Sequence, residues 1–291
     1  MHIVTLLTNP AHPTLETATI EALCNAWGGA DMRWLAHGIA AEFAVDTLPG
    51  NFWDIWSELQ GIGVDLVAQP AEGRRKKMLI ADMDSTMIGQ ECIDELADEA
   101  GIGPRVADIT ARAMNGELDF EGALRERVGL LAGLDVGVVD KVLAERITYT
   151  PGGAALVATM KANGAHCVLV SGGFTNFAAK VAADLGFDDH QANTLLVEDG
   201  KLTGKVAEPI LGREAKIEAL TRISTDLGIT PDQVMAVGDG ANDLGMLGLA
   251  GAGVALHAKP TVAMQCDIRI NHGDLTALLY LQGYMQDALR V

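Results

Sequence analysis

Met78-Leu79-Ile80-Ala81-Asp82-Met83-Asp84-Ser85-Thr86 is the stretch on which the fold turns. Four apolar residues in a row read as a strand buried on both faces, as in the interior of a parallel sheet. Two carboxylates two residues apart leave its carboxyl end, followed by two hydroxyls. Acids and hydroxyls also start ordinary turns and cap helices, so the segment alone decides no function. Further apolar runs follow at His166–Val170, Gln233–Val237, Ala252–Leu256 and Asp267–Ile270, with helical periodicity at 152–163, 174–185, 213–227 and 242–249. This alternation predicts an α/β fold, a Rossmann-type parallel sheet covered by helices on both faces.

Between the first and second of these strands, about seventy residues show only helical periodicity, far more than the ~12 a crossover needs. An insertion after a strand's carboxyl end sits over the ligand crevice of such a sheet, so residues at about 88–150 are expected to form a helical cap.

Upstream the pattern changes. All four tryptophans, Trp27, Trp34, Trp53 and Trp56, lie in the first 60 residues, which suggests a second unit with its own core. Strands at His2–Leu7, Met32–Ala36, Ala41–Val45 and Val64–Ala68, with helices at Thr14–Trp27 and Phe52–Leu59, give the order β-α-β-β-α-β. That is the ferredoxin-like α+β pattern, and in element order it resembles the ACT family of small-molecule-sensing domains. A plain scaffold or a homodimerisation module fits the same order. The charged run Ala71–Lys77 reads as a linker, dividing the chain into 1–70, 71–77 and 78–291.

Composition narrows the chemistry. With 291 residues, 49% hydrophobic and 21% charged, the chain has room for more than one core. Mean hydropathy is only +0.20, and no apolar run approaches the ~18 residues of a membrane helix. The opening MHIVTLLTNPAHP carries no basic segment ahead of an apolar one, so no secretory signal and no membrane partner are expected. A net charge of −18 leaves no basic footprint for nucleic acid, and any anion chemistry needs a local cation. Cys24, Cys92, Cys167 and Cys266 form no C-x-x-C, which argues against a zinc site or disulfide frame and for a cytoplasmic location.

Three further segments carry candidate chemistry. Gly238-Asp239-Gly240-Ala241-Asn242-Asp243 follows the strand Gln233–Val237, adding two carboxylates at the same sheet edge. Carboxylates converging without histidine or cysteine are hard oxygen ligands suited to Mg²⁺. An EF-hand calcium loop fails by counting: from Asp82 its glycine and glutamate positions fall on Met87 and Ile93, and from Asp239 on Leu244 and Ala250. Ser171-Gly172-Gly173 ends the strand His166–Val170, where a hydroxyl and glycine amides opening a helix would cradle phosphate. A serine-hydrolase elbow would need glycine at Leu169, and the G-x-G-x-x-G and Walker patterns are absent. Lys216 flanks the stripe Ile217, Leu220, Ser224, Leu227 and could supply the cation.

In that order, over about residues 78–285, these motifs resemble the haloacid dehalogenase superfamily and, within it, the phosphoserine phosphatase family. The resemblance implies a Mg²⁺-dependent hydrolysis of the small molecule phosphoserine, the last step of serine biosynthesis. It implies Asp82 as nucleophile, Asp84 as general acid and base, and Lys216 as the phosphate's cation. The metal would be held by Asp82, Asp239 and the backbone carbonyl of Asp84, with Asp243 orienting its shell through water. Ser171, Gly172 and Asn242 would bind the phosphoryl or other substrate groups, Glu91 the ammonium, and Arg127 of Leu124-Arg125-Glu126-Arg127-Val128 the carboxylate. Met114 would close over the reaction centre. Each cap residue also has a plain reading: a helix-N-terminal acid, a solvated arginine, a packed methionine. Rival functions are action on another phosphomonoester, phosphoryl transfer to an alcohol, and non-catalytic amino-acid sensing.

Overall fold

The computed structural model describes residues 1–114 and 117–290, apart from the side chain of Met114. The amino-terminal part contains β1 (His2–Leu7), α1 (Thr17–Ala26), β2 (Ala30–Ala36), β3 (Ala40–Val45), α2 (Phe52–Gln60) and β4 (Asp65–Pro70). Its strands pair in the order β2-β3-β1-β4, all antiparallel. Val4, Leu6 and Phe43 join Ile20 and Phe52 in one core, against which Trp27, Trp34 and Trp56 pack. Leu7, Leu35, Ala40 and Val67 belong instead to the larger core that contains Leu278 and Leu281. The two cores are therefore not wholly separate, whereas the tryptophan distribution suggested separate ones. Trp53 also reaches across, with the Arg269 guanidinium 4.2 Å above its ring.

After Ala71–Lys77 come β5 (Met78–Ala81), α3 (Cys92–Glu99), α4 (Gly103–Met114), α5 (Phe120–Gly129), α6 (Gly137–Glu145) and α7 (Gly153–Ala162). Then follow β6 (His166–Phe174), α8 (Thr175–Leu185), β7 (Asp189–Asn193), β8 (Leu195–Glu198), β9 (Lys201–Val206) and α9 (Arg213–Asp226). The chain continues through β10 (Val234–Gly238), α10 (Leu244–Leu249), β11 (Ala252–Leu256), α11 (Pro260–Ala263), β12 (Ile268–Ile270) and α12 (Ala277–Leu281). Six strands form a parallel sheet in the order β12-β11-β10-β5-β6-β7. The first strand lies at its centre, Ala81 level with Val237 of β10 on one side and Leu169 of β6 on the other. Its carboxyl end is thus flanked by both other motif-bearing edges, at the point where strand order reverses. Helices α3–α6 are the insertion that the spacing predicts.

Several details differ from the sequence reading. The polar edge strand β7 has no apolar run to announce it, and the antiparallel hairpin β8–β9 offers only the short run Leu195, Leu196 and Val197. Strand β6 continues through Ser171-Gly172-Gly173 to Phe174, with a register irregularity between Val170 and Phe174. The glycines let the strand bulge there rather than open a helix, and α8 starts only at Thr175. On α9 the buried face is Lys216, Ala219, Leu220, Ile223 and Ser224, while Leu227 is exposed. Lys216 is therefore central to that face instead of flanking it, because the acids beneath it supply a partner for a buried charge. The run at 71–77 is docked along its length. Arg74 Nη2 meets Glu42 Oε2 at 2.5 Å and its Nε donates to the Leu281 carbonyl at 2.9 Å, while Arg75 lies 3.6 Å over the Tyr284 ring.

Candidate active site

Asp82 leaves β5 still tied to the sheet, its N–H donating to the Val237 carbonyl at 3.0 Å. The Met83 N–H returns to Asp82 Oδ1 at 2.8 Å, which fixes the carboxylate's direction. Lys216 Nζ lies 2.7 Å from Asp82 Oδ1 and 2.6 Å from Asp243 Oδ1, and all three residues are buried. Burial alone would push the lysine's pKa down, but the two carboxylates beside it outweigh that and hold it above its ordinary value. For Asp82 the balance runs the other way. Burial, with the nearby Asp243 charge, raises its pKa well above the carboxylate range despite Lys216. Gly240 N–H donates to the other Asp243 oxygen at 3.0 Å, so both oxygens of that side chain are engaged.

One carboxylate oxygen from each of Asp82, Asp239 and Asp243 lies within 4.8 Å of the other two. Asp239 is pushed up to about 6 by burial and the charges of Asp243 and Glu91, and its Oδ1 accepts from the Thr86 hydroxyl at 3.1 Å. Three converging carboxylates against one lysine leave negative charge uncompensated, and their donors are hard oxygens. This set fits an oxygen-loving divalent ion. The Asp84 carboxylate is not in that group of three.

Asp84 lies instead against the bulge of β6. A Cβ at Gly173 would fall 2.6 Å from Asp84 Oδ2 and 3.0 Å from Ser171 Oγ, so only glycine lets these groups approach so closely. The Cys92 N–H at the start of α3 donates to Asp84 Oδ1 at 3.3 Å. Burial first, then the charge of Glu91, raises the Asp84 pKa to about 7. Asn242 Nδ2 comes within 3.9 Å of the position a Gly172 Cβ would take.

The cap adds the remaining groups. Glu91 precedes α3, and Ser85 Oγ donates to its Oε1 at 2.7 Å. Arg127, half-buried on α5, donates from Nε to the Ala123 carbonyl at 3.3 Å. Burial lowers its pKa, against the raising charges of Asp94, Glu91 and Asp84, so its guanidinium sits among acids at the mouth of the site. Asp82, Asp84, Asp239, Asp243, Lys216, Ser171, Gly172, Asn242, Glu91 and Arg127 thus face one region. The Met114 side chain lies outside the described residues. Three contributors went unread in the sequence. Phe120 at the head of α5 lies over Gly172 and Gly212, its ring 3.1 Å from where a Gly172 Cβ would stand. Asn193, buried, holds the Gly172 carbonyl at 2.8 Å and the Leu211 N–H at 2.8 Å. Thr86 stood inside the motif, but nothing in its spacing revealed the bond to Asp239.

A parallel sheet with an acid-x-acid strand end, a buried lysine and an inserted helical cap defines a class. Residues 79–248 match the family model described as haloacid dehalogenase-like hydrolase, and the chain belongs to that family. Phosphatases of this family are generally metal-dependent, and Asp82, Asp239 and Asp243 form an acidic cluster that could hold a metal ion. Its relatives within the family include phosphoserine phosphatases. The one from Streptomyces coelicolor is 45% identical over 79% of this chain, which spans 57% of that protein's length. A solved phospho-aspartyl intermediate analogue of phosphoserine phosphatase is 43% identical, with a TM-score of 0.66 over 71% of this chain and 98% of that one. The probable phosphoserine phosphatase of Vibrio cholerae, unliganded, is 31% identical with a TM-score of 0.80, over 99% of this chain and 88% of that one. No helix among the described residues is long and apolar enough to cross a membrane.

Proposed function

We propose that this chain hydrolyses O-phosphoserine to serine and phosphate through an aspartyl-phosphate on Asp82. The observation that carries the reading is the buried Asp82–Lys216 contact at 2.7 Å beside an Asp84 whose pKa is raised to about 7. In the first step the Asp82 carboxylate, whose ionised form Lys216 favours and a bound cation would favour further, attacks phosphorus and the bond to the serine oxygen breaks. Asp84, protonated near neutrality, gives its proton to the departing alkoxide. In the second step the Asp84 carboxylate takes a proton from water, whose oxygen attacks phosphorus and releases phosphate from Asp82. Lys216 offsets the charge on the phosphoryl oxygens, and Ser171, Gly172 and Asn242 donate hydrogen bonds to them.

Mg²⁺ is the metal of this reading; Asp82, Asp239 and the Asp84 backbone carbonyl would hold it, and Asp243 would orient its shell through water. When bound, it supplies further neutralisation of phosphoryl charge. Glu91 takes the substrate ammonium and Arg127 its carboxylate, and Met114 contributes an apolar wall. Closure of the cap excludes bulk water. The division into a unit at 1–70, a link at 71–77 and a phosphatase unit at 78–291, with a homodimer through the first, belongs to the same reading. So does a cytoplasmic location, supported by four cysteines that are all buried and unpaired.

Phosphate release from phosphoserine, with Mg²⁺ and with chelator, tests the reading. Release that needs the metal is expected. No release with Mg²⁺ present would overturn it, and faster release from other phosphomonoesters would reassign the substrate.

A further inference from the structure

Asp65 begins β4, belongs to the amino-terminal sheet and is fully buried. Its carboxylate accepts three consecutive backbone N–H groups from the loop after β12. Asn271 N–H reaches Oδ1 at 2.9 Å, and His272 and Gly273 N–H reach Oδ2 at 2.9 and 2.8 Å. Adjacent amides converging on one oxyanion form an anion nest, here filled from within the same chain. Gln60 closes the junction, its Oε1 accepting from Asn271 Nδ2 at 2.7 Å. From the β11 side, His257 Nε2 donates to the Gly273 carbonyl at 2.8 Å.

The loop continues to the base of the cap. Leu275 N–H donates to the Pro151 carbonyl at 3.1 Å. Gly152, at φ +81°, passes so close that a Cβ there would fall 2.6 Å from Thr276 N. Immediately before it, Thr148–Thr150 pairs with Met87–Gly89. Thr150 N–H donates to the Met87 carbonyl at 3.0 Å, Gly89 N–H to the Thr148 carbonyl at 3.0 Å, and Ile88 bridges Tyr149. These paired segments are the two places where the chain passes between the sheet and α3–α6. Hydrogen bonds, close contacts and the short stretches of chain between them therefore lead from Asp65 to the root of the cap.

We propose that Asp65 is a positioning residue: by filling the nest at Asn271–Gly273 it sets the paired segments on which the cap hinges. Its kinetic consequence rests on the phosphoserine reading, whereas its structural consequence does not. Asparagine at this position keeps the volume, removes the charge and turns an NH₂ against amides that need an acceptor. A loosened hinge lowers the fraction of molecules with the cap in its binding geometry, which weakens apparent affinity while saturating substrate restores the closed state.

Hydrogen exchange on the full-length protein, together with steady-state kinetics, tests this. In Asp65→Asn the Gly89 and Thr150 amides should exchange roughly tenfold faster, the size expected for losing a hydrogen bond to a charged group. Amides in the centre of β5 and β10 should keep their protection. KM for phosphoserine should rise by a similar factor with kcat changed less than about twofold. Gly152→Ala, which crowds Thr276 at the same junction, should in turn speed exchange at Asn271–Gly273. If Asp65→Asn fails to fold, this second variant decides alone. Faster exchange confined to 271–276 in Asp65→Asn, or spread evenly over the sheet, would overturn the proposal, as would unchanged exchange at 271–273 in Gly152→Ala. A protein inactive on phosphoserine would refute the function reading yet leave the exchange result to stand on its own.

Discussion

Replacing Lys216 by methionine tests the electrostatic centre of the site most directly. The substitution keeps an unbranched chain of similar length but removes the cation 2.7 Å from Asp82 and 2.6 Å from Asp243. Two buried carboxylates are then left facing each other, and breaking a buried ion pair from one side costs about 3–5 kcal/mol. For a protein of this size each kcal/mol moves Tm by about 2–4 °C, so metal-free Lys216→Met should melt roughly 6–20 °C lower. Lysine's folded pKa lies above its unfolded value, so its stabilisation is complete below about pH 10 and is lost only above that. The raised Asp82 has the opposite consequence: its buried charge weighs against folding above the unfolded carboxylate pKa of about 4. The variant's deficit should therefore shrink as pH falls toward 4. Mg²⁺ should restore part of it by mass action on the folded state, and Asp243→Asn in the same chain should restore more. Neither should recover turnover, which should fall about 10²–10³-fold. Thermal melts by circular dichroism in EDTA and in Mg²⁺, beside phosphate release, measure all of this. A melting temperature within about 2 °C of the parent in EDTA would refute the reasoning, because it would mean that the two carboxylates do not depend on Lys216.

Other outcomes follow from the same geometry. Asp82→Asn should leave the circular dichroism spectrum unchanged and reduce turnover below about one per cent, since an amide cannot attack phosphorus. EDTA should stop the reaction and Mg²⁺ restore it, with excess Ca²⁺ inhibiting through its looser coordination. The Mg²⁺ concentration for half-activation should rise as pH falls below about 6, where a proton on Asp239 displaces the metal. Because the first step needs protonated Asp84, kcat/KM should decline as pH rises through about 7, as a pH–rate profile would show. Glu91→Gln should lower kcat/KM for phosphoserine roughly ten- to hundredfold, with little effect on 3-phospholactate, which has no amine. Arg127→Ala should penalise phosphoserine far more than phosphoethanolamine, which has no carboxylate, and equal losses on all three esters would assign both residues to cap stability.

Much of the site was legible because its residues sit at strand ends, and strand ends can be read locally. The run Met78–Ala81 is buried at every position in the six-stranded sheet, so Asp82 had to emerge at a sheet edge. The same logic placed Asp239 and Asp243 after β10. Other signals were present but unread. Glu198-Asp199-Gly200-Lys201 carries the Asp-Gly pair of a tight hairpin, and Asp199 and Gly200 do adopt φ of +49° and +74° between β8 and β9. That hairpin escaped notice because Leu195–Glu198 is only four residues long and shows no alternation of apolar and polar residues.

The order of the elements other than β7, β8 and β9, the edge at which the acids emerge and the presence of a cap were determined by the sequence itself, because hydrophobic periodicity and turn chemistry act between near neighbours. Three matters were decided only by tertiary structure. Lys216 reads as a flanking surface lysine until Asp82 and Asp243, 134 and 27 residues away in sequence, are brought against it and make a buried cation favourable. Ser171-Gly172-Gly173 reads as a helix opening until pairing with β7 and the approach of Asp84 hold it as a bulged strand. Asp65 is one acid inside the strand read at Val64–Ala68 and drew no notice there, because its three amide partners lie 206 to 208 residues further on. Charges and hydrogen bonds of this kind depend on distance in space, and spacing along the chain carries no record of it.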